Sequence, residues 1–593
     1  MTYRAPVEDM LFTLRHVAGL DRLSADGLAP ELEGGMAGAI LEEAGKFAND
    51  VIAPLNTVGD KIGSRLENGR VTTPPGWREA YMAWAEAGWN GLTADPEFGG
   101  QGLPQLVQAA CVEMWNSASF AFALGPLLTA GAIEALTAHG SEHLKETYLA
   151  KLVSGEWMGT MNLTEPQAGS DLNALRAKAE RAPDGTYRIF GQKIFITYGD
   201  HDLTDNIVHL VLARLPDAPP GTRGISLFLV PKILVNQDGS LGAPNDVRCH
   251  SIEHKLGIHA SPTCTMVYGD NGGAVGWLIG EENRGLACMF TMMNNARLNV
   301  GLQGVAIAER AYQHALAYAK ERKQGRAPGW TGEGMSPIAE HPDVRRMLLR
   351  MRAQTQASRA ICYKVAEGLD RAHRETTDAA RKAASERAAL LTPIAKAYST
   401  DIGVEVASMG VQVHGGMGFV EETGAAQHLR DARIATIYEG TNGIQAIDLV
   451  QRKLPLSGGE TVRGVIAEMR DVVAKVAASN APEFGKTAER LREAVDSLER
   501  ATSFMLEALG ARPGEALAGA TDYLKLFGLA LGGTSLAQKG LVGAENGDEH
   551  AQAARVATAR FFAEQVATEA PALERAVVDG AGAVEDGALV FAA

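Results

Sequence analysis

The hydrophobic pattern of this chain changes three times along its 593 residues, and no single bundle, sandwich or barrel can bury all the faces it describes. Up to about residue 155 apolar residues recur at helical spacing, in runs such as MAGAILEEAGKFANDVIAPL and LVQAACVEMWNSASFAFALG. Between these runs PEFGGQGLP, residues 96–104, carries three glycines and two prolines, which a helix interior rejects, so an ordered loop is expected there. From about 156 to 283 the runs shorten to YRIF, KIFITY, NIVHLVLAR and ISLFLVP, separated by DG, GD and PPG turn signals, which predicts a small β domain. Helical period returns from about 286 to 452, where Leu298, Leu302, Val305, Ala308, Tyr312, Leu316 and Ala319 fall on one face. Further helices are expected to open at Pro342 and after Thr392, since proline is tolerated in a first turn. LPLSGGE, residues 454–460, reads as a linker, and an Ala-rich helical region follows it to the end. The expected fold class is α+β in four parts: helical 1–155, β 156–283, helical 284–455 and helical 461–593.

Composition narrows the function classes. The 56 Lys plus Arg against 71 Asp plus Glu give a net charge of −15, whose field repels phosphate polymers and disfavours nucleic acid as a partner. Cys111, Cys249, Cys264, Cys288 and Cys362 are scattered with no C-x-x-C pair, so neither a disulfide framework nor a metal site is expected, and the pattern fits a reducing, cytoplasmic setting. Arg15 and His16 break the first apolar run, and no uninterrupted apolar stretch approaches about 18 residues, so neither a signal peptide nor a membrane span is expected.

Several short motifs carry candidate chemistry. TEPQAGSD, residues 164–171, offers the Thr164 and Ser170 hydroxyls beside Gly169, where a ligand can approach the backbone; alone, it reads first as an ordinary surface turn. In IYEGTNGIQ, residues 437–445, Asn442 and Gln445 have capping-box spacing, which puts Glu439 three residues before a helix. A carboxylate so placed suits a general base, or merely the positive end of the helix dipole. VQVHGGMGF, residues 411–419, breaks a helix with Gly415, Gly416 and Gly418, yet it is not a dinucleotide fingerprint, and His414 has no partner at ligand spacing and reads as structural. KERKQGR, residues 320–326, is either favourable charge at a helix C-terminus or a phosphate contact, and Arg297 is either a solvated charge or an anion contact.

Taken in order, these elements resemble the acyl-CoA dehydrogenase family, flavoproteins that introduce a double bond between the α and β carbons of acyl-CoA thioesters. The resemblance covers about residues 40 to 452, and three further pieces join it: PEFGGQGLP, KLGIHASPT at 255–263 and GEENRGL at 280–286. It implies an N-terminal helical domain, a middle β-barrel-like domain and a C-terminal four-helix bundle with FAD between the last two. The region after 460 resembles a longer subgroup that includes 3-methylmercaptopropionyl-CoA dehydrogenases and several bacterial fatty acyl-CoA dehydrogenases.

By this resemblance Glu439 is the catalytic base that takes the α-proton while the β-hydride passes to flavin N5, and its backbone N–H shares the thioester oxygen with a flavin ribityl hydroxyl. Leu163, Thr164, Gly169, Ser170, Phe195, Thr197, Gly440 and Thr441 match flavin contacts, and Ser170 and Arg297 match substrate positions on the CoA side. Arg322, Gln412 and Gly416 match positions that reach FAD across a subunit interface, which implies a homodimer at least. The implied electron acceptor is electron-transfer flavoprotein. Phe195 replaces the family's tryptophan, which keeps stacking and loses an indole N–H, and R-K-Q-G-R lacks the family's aromatic, so Gln324 is not carried over. An acyl-CoA oxidase shares fold and base and remains an alternative, as does a non-catalytic helical scaffold, while a nitroalkane-oxidase-like enzyme would place Asp where Glu439 stands.

Overall fold

A computed structural model describes residues 3–545 and 547–592. The N-terminal part is built from α1 (Val7–Thr13), α2 (Met36–Phe47), α3 (Trp77–Glu86), α4 (Gln105–Ala118) and α5 (Phe120–His139), with a small hairpin, β1 (Arg65–Glu67) and β2 (Arg70–Thr72), that periodicity did not signal. α5 is apolar all round, so it must be buried on every side. By length and a mean hydropathy of 1.5 it could cross a membrane, although Pro126, Thr129 and Glu134 interrupt its apolar run, and 83% of its most apolar stretch lies buried inside this fold as a core helix.

The middle part comprises β3 (Met158–Asn162), β4 (Lys178–Arg181), β5 (Tyr187–Thr197), β6 (Ile207–Arg214), β7 (Ile225–Pro231), β8 (Ile233–Val235), β9 (Leu241–Pro244), β10 (Val247–Ile252), β11 (Thr263–Tyr268) and β12 (Ala274–Ile279). β4 pairs with both β5 and β6, and so closes a barrel in the order β5–β12–β7–β6–β4. β3 adds parallel to β6, while β11 and then β10 extend from the far half of β5. YRIF and KIFIT, which read as separate runs, are one strand: residues 187–189 pair with β12 and 191–197 with β11. Gly191, at φ +133, sits at the change of partner, a conformation that side chains resist.

Three long helices follow: α6 (Gly285–Glu321), α7 (Pro342–Arg374) and α8 (Asp378–His414). α7 opens at Pro342 as expected, but Pro393 opens nothing; it lies inside α8, which starts at Asp378 with the Thr377 hydroxyl accepting from Ala380 N–H. An interior proline costs a helix about 3 kcal/mol, and burial of Leu390, Leu391 and Ile394 around it outweighs that cost. α6 and α8 touch backbone to backbone, since a Cβ at Gly304 would lie 2.3 Å from the Ser399 carbonyl oxygen. A short helix α9 (Asn442–Asp448) then leads into α10 (Glu460–Ala478), α11 (Thr487–Ala511), α12 (Ala520–Leu541) and α13 (Glu549–Gln565). The segment read as a linker is an ordered turn anchored by buried Leu454, not a free tether. The C-terminal part packs on the rest, with Lys539 on Asp9 at 2.6 Å, Arg350 on Glu569 at 2.9 Å and Glu468 on Arg387 at 2.6 Å.

Candidate active site

The segment after β3 is shaped by a residue that sequence reasoning passed over. Glu165 is buried, and its carboxylate accepts from Lys193 Nζ at 2.8 Å and from the Arg176 and Ala177 backbone N–H groups at 2.7 and 3.0 Å. Lys193 Nζ also donates to the Leu163 carbonyl at 3.0 Å, and Ile194 N–H to that of Thr164 at 2.9 Å. These bonds lock the turn to β5 and leave Gly169 and Ser170 exposed, with open space where a Gly169 side chain would point.

On β5 the ladder to β11 slips one residue between Ile196 and Lys193, a β-bulge, and Phe195 takes φ +59 there. Phe195 is 59% exposed although it is large and apolar, while Thr197, two residues on, pairs with Thr263 in the KLGIHASPT motif. That motif also meets the helical region, where Ile258 N–H donates to buried Asp431 at 2.6 Å. An exposed phenyl ring on the strand that pins this turn, with the exposed Ser170 hydroxyl and an unfilled glycine position in the turn itself, suits a flat aromatic cofactor.

The loop before α9 is held from three sides. Tyr438 OH donates to Gln303 of α6, Gln445 Nε2 donates to the Glu439 carbonyl at 3.1 Å, and Lys396 Nζ of α8 donates to the Gly440 carbonyl and Asn442 Oδ1, both at 2.8 Å. Glu439 and Gly440 are both left-handed, φ +55 and +82, and for Glu439 that costs on the order of 1 kcal/mol or more. The cap of α9 is Thr441, whose hydroxyl accepts from Ile444 N–H; Asn442, expected as the cap, is the first helical residue, because its side chain is taken by Lys396, Ala397, Thr400 and Asp401. The Glu439 carboxylate itself has no hydrogen-bond partner among the described residues. Burial raises its pKa, opposed by the Arg297 and Lys396 cations nearby. Burial likewise pushes the Lys396 ammonium down to about 7, against the pull of Glu439. A half-buried carboxylate with a raised pKa and no competing donor is equipped to take a proton.

Arg297 is no solvated charge: it is buried in α6, and its Nη1 donates to Asp448 of α9 at 3.1 Å. Arg322, Gln412 and Gly416 lie elsewhere, exposed where α6 and α8 end side by side, with the Tyr318 ring stacked on His414 at 4.5 Å. From Lys396 to Gln412 is about 24 Å along α8 at 1.5 Å per residue, so these three do not join the Glu439 group within one chain. His414 Nδ1 pairs with the Gly410 carbonyl at 2.7 Å, and its ring lies 4.6 Å from that of His314, a neighbour that its sequence spacing did not signal.

Comparison with known proteins gives one family over most of the chain. Residues 37–156, 160–271 and 283–454 match the N-terminal, middle and C-terminal domains of acyl-CoA dehydrogenases, and 465–586 match a domain described as acetyl-CoA dehydrogenase C-terminal like. The chain is 49% identical over 583 residues to a 3-methylmercaptopropionyl-CoA dehydrogenase of Ruegeria pomeroyi, covering 98% of each. Among solved structures it superposes on Caenorhabditis elegans ACDH-11 in complex with C11-CoA with a TM-score of 0.77 at 21% identity, covering 97% of this chain and 95% of that one. An acyl-CoA dehydrogenase complexed with FAD from Bacillus anthracis gives a TM-score of 0.74 at 20% identity, over 93% and 89%.

Proposed function

The chain belongs to the acyl-CoA dehydrogenase family and is an FAD-dependent enzyme of it; on that premise we propose that it oxidises a short acyl-CoA, 3-methylmercaptopropionyl-CoA in the first place, to the trans-2-enoyl-CoA. The substrate rests on the 49% identity to a relative of that name, and the reaction on Glu439, the one observation that carries most weight. FAD, when bound, supplies the acceptor for the β-hydride. Every other part falls to this chain. Glu439 takes the α-proton, its backbone N–H polarises the thioester oxygen, and Arg297 with Lys396 supplies positive charge beside both. A thioester α-proton is far less acidic than a carboxylic acid, so the base gains from its raised pKa, and the enolate charge gains from the two cations. Leu163, Thr164, Gly169, Ser170, Phe195, Thr197, Gly440 and Thr441 would hold the flavin and Ser170 the pantetheine arm.

Arg322, Gln412 and Gly416, too far along α6 and α8 to serve the same site, would serve the cofactor of a second copy. Phe419, 88% exposed beside them, is an apolar surface suited to such a homodimer. Electron-transfer flavoprotein is the proposed acceptor and the cytoplasm the proposed setting. Turnover with that acceptor, with loss of two hydrogens from the thioester and negligible rate with O2 alone, tests the reading against an oxidase.

Lys396 gives a prediction with a sign. Its charge favours ionised Glu439, so Lys396→Met should move the acid limb of the kcat/KM profile to higher pH by about one unit, and Lys396→Arg should restore it. An acid limb that does not move in the methionine variant would remove Lys396 from the account.

A further inference from the structure

Glu165 and Lys193 form an ion pair sealed from solvent, their side chains 3% and 0% exposed. Buried pairs are poor stabilisers, since apolar residues of the same volume fill such a space as well or better. The turn also has a neutral tie to β5, the bond from Ile194 N–H to the Thr164 carbonyl. Pinning the turn does not by itself call for a charge. Lys193 Nζ, besides meeting Glu165, donates to the Leu163 carbonyl at 3.0 Å, and no other donor among the described residues reaches that oxygen. The Leu163 C=O and the Thr164 N–H belong to one trans peptide, so the N–H points away from Lys193. That N–H has no acceptor among the described residues. A cation on the carbonyl end polarises the peptide and makes its N–H a stronger donor. Burial pushes the Lys193 ammonium down to about 8, which leaves it charged at neutral pH.

Resting on the dehydrogenase reading above, with Thr164 among the residues that hold the flavin, we propose that Lys193 is a positioning residue for hydride transfer: its charge, relayed through the Leu163–Thr164 peptide, favours the reduced flavin over the oxidised one. A hydride carries a proton and two electrons, so a neutral ring that accepts it becomes an anion. A polarised donor holds that anion more tightly than the neutral ring, which makes the bound cofactor the stronger hydride acceptor. Glu165 keeps the ammonium in place. Burial works against the Glu165 charge, but Lys193 and the Arg176 and Ala177 N–H groups hold its pKa below the usual carboxylate range. Its negative charge is shared among four donors, these three and Gln167 Nε2 at 2.6 Å, so it is not spent on Lys193 alone.

The test measures the midpoint potential of the flavin in the substrate-free holoenzyme at pH 7, and the Kd of oxidised FAD by titration of the apoprotein. Wild type is compared with Lys193→Met, Lys193→Arg and the double variant Lys193→Met with Glu165→Gln. In Lys193→Met the preference for the reduced flavin should fall about tenfold, the scale of one charge-assisted hydrogen bond, which lowers the midpoint by about 30 mV for a two-electron couple. Lys193→Arg, which keeps the charge, should recover most of the loss. The double variant should shift in the same direction as Lys193→Met, and it keeps the test alive if that variant, with Glu165 buried beside no cation, fails to fold. A tie that only shaped the turn would weaken both oxidation states of FAD alike and leave the midpoint in place. Midpoints unchanged in every loaded variant, or FAD lost from all three including Lys193→Arg, overturn the proposal and leave the dehydrogenase reading standing. A folded wild type that binds no FAD overturns the dehydrogenase reading, and this proposal with it.

Discussion

Glu439→Gln lowers kcat by about 10⁴-fold, at the upper end of what loss of a general base costs, and leaves FAD and thioester binding intact. The amide keeps the volume and cannot accept the α-proton. The carboxylate makes no hydrogen bond among the described residues, and the relief of its buried charge offsets the lost attraction to Arg297 and Lys396. Thermal stability should hold or rise slightly. Steady-state turnover, with FAD content and Tm measured on the same preparation, checks this. A loss of less than tenfold would mean that another group takes the proton.

Arg359→Met is the substitution with the largest expected effect on stability. Arg359 is buried in α7 and holds Glu113 of α4 at 2.6 Å, Glu309 of α6 at 2.8 Å and Asp9 of α1 at 3.1 Å. Tyr363 OH donates to Glu113 at 2.8 Å, and Lys539 of α12 completes the cluster on Asp9 at 2.6 Å. The cluster therefore ties the N-terminal part to the C-terminal part through Lys539 and to the bundle through Arg359, the cation that the substitution takes out. Removing it leaves Glu113 and Glu309 buried without their counter-charge, which costs about 3 to 5 kcal/mol. A fall in Tm of roughly 5 to 15 °C is expected at a few degrees per kcal/mol. The double variant Arg359→Met with Glu113→Leu should recover part of the loss, since removing both members of a buried pair is milder than removing one. A single variant melting within 1 °C of wild type would contradict this picture of the core.

The four-part organisation was legible because period is a local property: β-rich runs between helical ones survive in the sequence whatever the packing. The helix start three residues after Glu439 was legible for a similar reason, since its turn and cap residues, Gly440 and Thr441, lie directly before it. What escaped depends on distant segments meeting. Lys396 sits in an ordinary helical run and gains meaning only because α8 carries it to the Gly440 carbonyl. Glu165 lay inside a quoted motif, yet its part in pinning the turn needs Lys193 from another strand. Pro393 misled because the first-turn rule weighs local strain, whereas burial of the residues around it decided the outcome.

The central claim is tested most directly by anaerobic mixing of the FAD-loaded enzyme with 3-methylmercaptopropionyl-CoA and with pentanoyl-CoA while the visible flavin absorption is followed. Wild type should bleach with at least one of them, with the matching 2-enoyl-CoA recovered, and Glu439→Gln should bind the same thioester without bleaching. Bleaching that persists in Glu439→Gln, or a flavin-loaded wild type that neither thioester bleaches, would contradict the assignment of Glu439 as the base of an acyl-CoA dehydrogenase.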